Sequence, residues 1–246
     1  MLILFIGNSL TFYNFLPLTL RGIIKHIYPC SKFDVGLQVK RYADFKEHWE
    51  NPDTEKALNS SKWTHVVLQD HSQGPIFTKE NFYLFGYRLI EAVRNVGAEP
   101  VLFMTWAHYG KSEMMEEVRS IYRDLAHITG ASLCPVGEVW YKAKDILDDS
   151  EFFKTDGVHP SPLGTLFTAF IFAHFFGYSI KDPFPLDLKI ELEDYEDLRN
   201  SFDFNGYGIK RRAIHYNLSS HKVACLLRGL QDSSLYNLQV PRRLCF

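Results

Sequence analysis

At 246 residues, 46% hydrophobic and 23% charged, the chain has an ordinary globular composition and enough length to bury one large α/β core. A net charge of −2 gives no reason to expect nucleic acid or an anionic membrane as the main partner. Cys30, Cys134, Cys225 and Cys245 are far apart and form no CxxC pair, so reduced, structural cysteines are expected, with neither a disulfide framework nor a bound metal.

The chain opens on "LILFIGNSLT", an apolar run that stops abruptly at Gly7-Asn8-Ser9. Leu2–Ile6 reads as a buried strand, too short for a signal core, and no basic n-region or small-residue cleavage site accompanies it. A cytoplasmic protein is the expectation. Leu16, Leu20, Ile23, Ile24 and Ile27 share one face of a helix over Leu16–Ile27, and Phe33–Val39 alternates as a second strand. Short helical pieces follow at Ala43–Trp49 and after Pro52, then a β-branched strand over His65–Gln69. Asn81–Gly97 reads as a helix ending at a glycine, Pro100–Trp106 as the next strand, and Ser112–Gly130 as a helix with Ser112 as N-cap. Ala131–Val136 supplies a fifth strand. Ser161–Gly177 reads as a helix with Ser161 as N-cap and Pro162 at its first position. The very apolar stretch Leu166–Phe176 inside it is too short to span a bilayer, so no membrane insertion is expected.

Near-continuous apolar strands alternating with helices predict an α/β fold, a three-layer α/β/α sandwich around a central, mostly parallel five-stranded sheet. Ligands of such sheets bind at the carboxyl ends of strands, which is where Gly7-Asn8-Ser9 lies. Residues 1–177 read as this domain and 178–246 as a C-terminal extension that packs on it or frays. The extension is acidic over 181–200 and basic over 201–246, and His221–Leu230 is amphipathic. A partner-binding tail is the alternative reading of it.

A second informative stretch, "FFKTDGVHPSPLG", places Asp156 three residues before His159 in a Gly/Pro loop ahead of a capped helix. A carboxylate so placed can fix the imidazole tautomer and stabilise its charged form. Serine is a poor nucleophile without an adjacent base, and the chain offers Ser9 after the first strand and His159 after the fifth. Trp106 and His108 follow the fourth strand and either line a pocket or form an ordinary rim. Phe12, Tyr13 and Phe15 either form a ligand platform or cover the core. His26, His48, His65, His174, His215 and His221 show no ligand-like spacing.

With "GNSLT" near the start and "DGVHPS" near the end of the domain, the chain resembles the SGNH (GDSL-type) hydrolases over roughly residues 1–177. The resemblance implies a flavodoxin-like serine esterase or acyl hydrolase that needs no metal or cofactor and acts on a small-molecule ester. A polar leaving group such as an acetylated sugar, hence a short acyl group such as O-acetyl, is favoured because the sequence shows no long apolar lid segment. The resemblance also implies Ser9 as nucleophile, His159 as general base and then acid, and Asp156 as the group that orients His159. Asn8 stands where the family more often has aspartate. For the oxyanion hole it implies the N–H of Ser9, the N–H of Ala43 where the family has glycine, and a side chain from "QDHSQG". His71 takes the place of the family's asparagine there, with Gln69 as the alternative donor. A non-catalytic ligand binder on the same fold and a flavodoxin-like phosphate binder are the rival readings.

Overall fold

A computed structural model describes residues 1–144, 146–180, 185–191 and 213–231. Five strands form one sheet: β1 (Leu2–Gly7), β2 (Asp34–Val39), β3 (His65–Leu68), β4 (Glu99–Phe103) and β5 (Ser132–Cys134). Their order is β2-β1-β3-β4-β5, and every neighbouring pair is parallel. The chain winds outward to one side of β1 and then to the other, which makes β1/β3 the point where the strand order reverses.

The unbroken apolar runs follow from coverage on both faces. Ile3 and Phe5 of β1, with Val67, Val101 and Phe103, enter one core; Leu4 and Ile6, with Val66, Leu68 and Leu102, enter the other. Successive side chains of a strand point to opposite faces, so a polar residue at any of these positions would be buried without a partner. The second core is closed by α3 (Phe45–Trp49), α4 (Pro52–Asn59), α6 (Lys79–Asn95) and α7 (Met114–Thr129), with α1 (Ser9–Phe12) and α5 (Gly74–Phe77) as short turns at the strand ends.

The first core is closed by α2 (Leu16–Ile27), α8 (Val136–Ala143) and α9 (Pro162–Phe175). α9 is buried without interruption from Gly164 to Ala173. A helix that is apolar all round must be covered all round, and the sheet does this together with α2, α8 and α10 (Ser220–Gln231). α10 contributes Val223, Leu226, Leu227 and Leu230, the amphipathic face seen in the sequence. β6 (Leu186–Glu191) and β7 (Ala213–Leu218) pair antiparallel and press Leu186, Ile190, Ile214 and Tyr216 into the same core beside α2. Cys245 and most of the charged stretches at 181–200 and 201–246 lie outside the described residues. Among those described, no helix is long and apolar enough to cross a membrane.

Several boundaries differ from the sequence reading: the fifth strand is Ser132–Cys134, not Ala131–Val136, with Val136 already in α8, and α6 is Lys79–Asn95, not Asn81–Gly97. Ser112 does not cap α7, because successive turns (Met114 N–H to Lys111, Met115 N–H to Ser112) lead the chain into the helix two residues later. β4 ends at Phe103 because β5 supplies only three paired positions, leaving 104–106 in a loop.

Candidate active site

Gly7 ends β1 because nothing larger fits. A Cβ there would stand 2.5 Å from both Gln69 Oε1 and Thr11 Oγ1. The next residue, Asn8, folds the turn: its side-chain oxygen accepts from the Leu10 N–H at 3.1 Å, and its Nδ2 donates to the Ala43 carbonyl at 2.8 Å. Asn8 thus caps α1 and ties it to the loop after β2. Ser9 follows as the first residue of α1. Beneath the turn, buried His48 donates from Nε2 to the Gly7 carbonyl at 2.9 Å and accepts at Nδ1 from Thr54 Oγ1 at 3.2 Å. Burial pushes the His48 imidazole down to about 4, so it sits there neutral.

The second loop is a tight hairpin between Phe153 and Pro160. The Lys154 N–H donates to the His159 carbonyl at 2.8 Å, and the Gly157 N–H donates to the Lys154 carbonyl at 2.9 Å. Gly157 takes the turn at φ +67, a backbone angle that disfavours any side chain. The loop after β4 braces it: Trp106 Nε1 donates to the Val158 carbonyl at 3.0 Å and the Tyr109 N–H to the Gly157 carbonyl at 2.8 Å.

These two loops meet. The Ser9 hydroxyl lies 3.0 Å from His159 Nε2, and His159 Nδ1 lies 2.9 Å from Asp156 Oδ2. The other Asp156 oxygen accepts from the backbone N–H groups of Val158 and His159, each at 2.9 Å. Partial burial pushes the Asp156 carboxyl up, but those N–H bonds and the His159 ring outweigh it and hold the group below its ordinary value.

The residues expected to complete an oxyanion hole are placed unevenly. Gln69 is fully buried and its amide is already used: Oε1 accepts from the Asn8 N–H at 2.9 Å and from the Thr11 hydroxyl at 2.8 Å, and Nε2 donates to the Asp70 carbonyl. It holds the Ser9 turn from inside and is not brought to the cleft. The Ala43 N–H closes a turn onto the Lys40 carbonyl at 3.2 Å. The left-handed residue of that turn, the conformation a glycine would favour, is Tyr42 at φ +62. His71 accepts at Nδ1 from the Gln73 N–H at 3.3 Å. His108 bonds Ser72 Oγ at 3.3 Å, and burial followed by the charge of Lys111 pushes its imidazole down, with His71, Asp156 and His159 also near enough to act on it. His108 therefore stands within electrostatic reach of His71, Asp156 and His159.

Of the three aromatics after Ser9, Phe12 and Phe15 are buried, and only Tyr13 reaches the site, its ring centroid 4.4 Å from that of His159. Trp106 is buried and stacks on Trp140 at 4.1 Å. Both wall an open groove of about 420 Å³, shared with His108, Tyr109 and Phe153, on the side of the His159 loop facing α8. Two residues carry no motif and were missed in the sequence. Asn14 Nδ2 donates to the Pro160 carbonyl at 3.0 Å, and buried Asp70 accepts from the Phe45 N–H at 2.6 Å. A polar residue in an aromatic run was the one signal for Asn14. Among the described residues, no group of three or more His, Cys, Asp or Glu could hold a metal ion.

No protein-family profile and no curated protein matches the chain. Solved structures do. A candidate SGNH hydrolase from Slackia heliotrinireducens is similar over 72% of this chain and 99% of its own, at TM-score 0.61 and 27% identity. A variant of an acetyl xylan esterase from Geobacillus stearothermophilus covers 73% of this chain and 96% of its own, at TM-score 0.61 and 16% identity. A DUF4886 family protein from Bacteroides uniformis extends over 85% of this chain and 96% of its own, at TM-score 0.56 and 15% identity. The architecture described above, a central parallel five-stranded sheet flanked by helices, is that of these SGNH-hydrolase neighbours.

Proposed function

We propose that this chain, built on the SGNH-hydrolase fold, is an ester-bond hydrolase that works through an acyl-enzyme on Ser9. One observation carries the reading: an unbroken line of hydrogen-bonding atoms from the Ser9 hydroxyl through both nitrogens of His159 to Asp156, at 3.0 and 2.9 Å. His159 takes the Ser9 proton at Nε2 as the oxygen attacks the ester carbonyl, and Asp156 holds the other ring nitrogen protonated and stabilises the imidazolium. The tetrahedral oxyanion is held by the Ser9 N–H and the Tyr42 N–H, which, unlike the Ala43 N–H, is not bonded to another backbone carbonyl among the described residues. His71 supplies the third donor. Its Nδ1 accepts from Gln73, so the neutral ring carries its proton on Nε2, free to donate. His159 then protonates the leaving alkoxide, the C–O bond breaks, and water repeats the cycle to release the acid.

A short acyl group such as acetyl is the favoured substrate, in keeping with the acetyl xylan esterase among the structural neighbours. The test is a fluorophosphonate probe together with 4-nitrophenyl acetate. Wild-type protein is labelled and hydrolyses the ester, and Ser9→Ala loses both. Hydrolysis retained by Ser9→Ala would overturn the reading.

A further inference from the structure

We infer that the cleft selects esters bearing an anionic group, and that Lys154 is the residue that receives it; this rests on the esterase reading above. The Lys154 main chain is fixed in the same hairpin as His159, by the bond from its N–H to the His159 carbonyl at 2.8 Å. Its ammonium lies 4.4 Å from the centroid of the Tyr13 ring, and that ring also neighbours the His159 imidazole, 4.4 Å away and tilted by 37°. Tyr13 is itself held by stacking on buried Phe12, at 5.6 Å and 14°. A cation resting on an aromatic face is positioned without being neutralised, so an incoming anion meets a charge whose side chain is already ordered.

The charges around the cleft support this. Among the described residues Lys154 has no carboxylate within ion-pair distance, and neither has Lys111, which follows His108 in the same turn and whose charge acts on it. Asp156, the carboxylate nearest the reacting atoms, already accepts from two backbone N–H groups and the His159 ring. Asp44 accepts from the Glu47 N–H at 2.8 Å, and Glu47 stands 3.7 Å from Lys40. Lys154 is therefore an unpaired cation beside the reacting residues, although the chain as a whole carries −2. Carboxylate, sulfate and phosphate share the chemistry required, and a carboxylate is the simplest probe.

The experiment compares kcat/KM for 4-acetoxybenzoate with that for methyl 4-acetoxybenzoate, the same ester bond with and without a negative charge. The anionic-to-neutral ratio falls about five- to tenfold in Lys154→Met, falls further in Lys154→Glu, is restored in Lys154→Arg, and shrinks with added salt. An unchanged ratio in both Lys154→Met and Lys154→Glu overturns the proposal. Binding of 4-hydroxybenzoate to Ser9→Ala protein, followed by NMR titration, applies the same test without turnover. Affinity about tenfold weaker with Lys154→Glu added supports the anion subsite, and equal affinity overturns it. Charge-dependent binding in a protein that hydrolyses neither ester overturns the esterase reading alone.

Discussion

Asn14 reaches from the segment after Ser9 to the residue after His159, donating to the Pro160 carbonyl at 3.0 Å and to Thr165 Oγ1 at 2.9 Å. The bond sets the distance between nucleophile and base from outside the reacting line. Asn14 also sits at φ +49, an angle that asparagine tolerates better than alanine. Asn14→Ala should cost about 1–3 kcal/mol in urea unfolding and slow fluorophosphonate labelling of Ser9. Asn14→Gly should recover the backbone share, about 1 kcal/mol, and stay slow to label. Labelling at the wild-type rate in both variants would show that the two loops keep register without this bond.

The sheet was legible because both its faces are covered: Leu2 to Ile6 cannot be apolar at every position unless each side chain has a core to enter. Ser9, Asp156 and His159 were legible because polar residues in short Gly/Pro loops at strand ends have few structural tasks. The oxyanion side was not. A glutamine at a strand end reads the same whether its amide faces the cleft or, as Gln69 does, turns back beneath Gly7. Nothing in a tyrosine announces the positive φ of Tyr42. α8 follows β5 after Pro135 alone, with no turn residues between to mark it, and the β6/β7 ladder pairs segments far apart in the chain.

Asp156→Asn should retain the loop, since the amide oxygen can still accept from the Val158 and His159 N–H groups. The amide nitrogen, however, presents hydrogen to His159 Nδ1 and favours the tautomer whose Nε2 is protonated. Loss of kcat by about 10⁴-fold is expected, with little change in melting temperature. The folded-state Asp156 carboxyl is held low, so its contribution to stability is present above the ordinary carboxylate range and is lost as pH falls through the lowered value. A modest loss of kcat, tenfold or less, would mean that Asp156 does not orient the base.

Tyr42 offers a test of backbone geometry that is independent of turnover. At φ +62 a Cβ is strained whatever the side chain, and the exposed Tyr42 ring gains little from packing. Tyr42→Gly should be more stable than Tyr42→Ala by about 1 kcal/mol, the reverse of the order at an ordinary loop position. Equal stabilities in urea unfolding would place Tyr42 outside the left-handed region.

Asp70 and His48 are both buried neutral, and their pH dependences have opposite signs. Desolvation raises the Asp70 carboxyl from 3.8 to about 8, against the bond it accepts from the Phe45 N–H, and lowers His48 from 6.5 to about 4. Asp70 keeps a proton that the unfolded chain releases, so its contribution is complete below about 3.8 and is lost as pH rises to about 8. The His48 contribution is complete above about 6.5 and is lost as pH falls to about 4. The two slopes oppose each other from about 4 to 6.5, and above that only the Asp70 slope remains. Between pH 6.5 and 8, wild-type stability should therefore fall relative to Asp70→Asn by about 1 kcal/mol per pH unit. Asparagine keeps an oxygen for the Phe45 N–H and puts a donor where Asp70 Oδ2 now has no hydrogen-bond partner. Urea unfolding of the two proteins across that window decides the matter: a difference that does not change with pH would mean that Asp70 is ionised in the folded state, and that the loop carrying Tyr42 is anchored by a charge instead of a neutral acid.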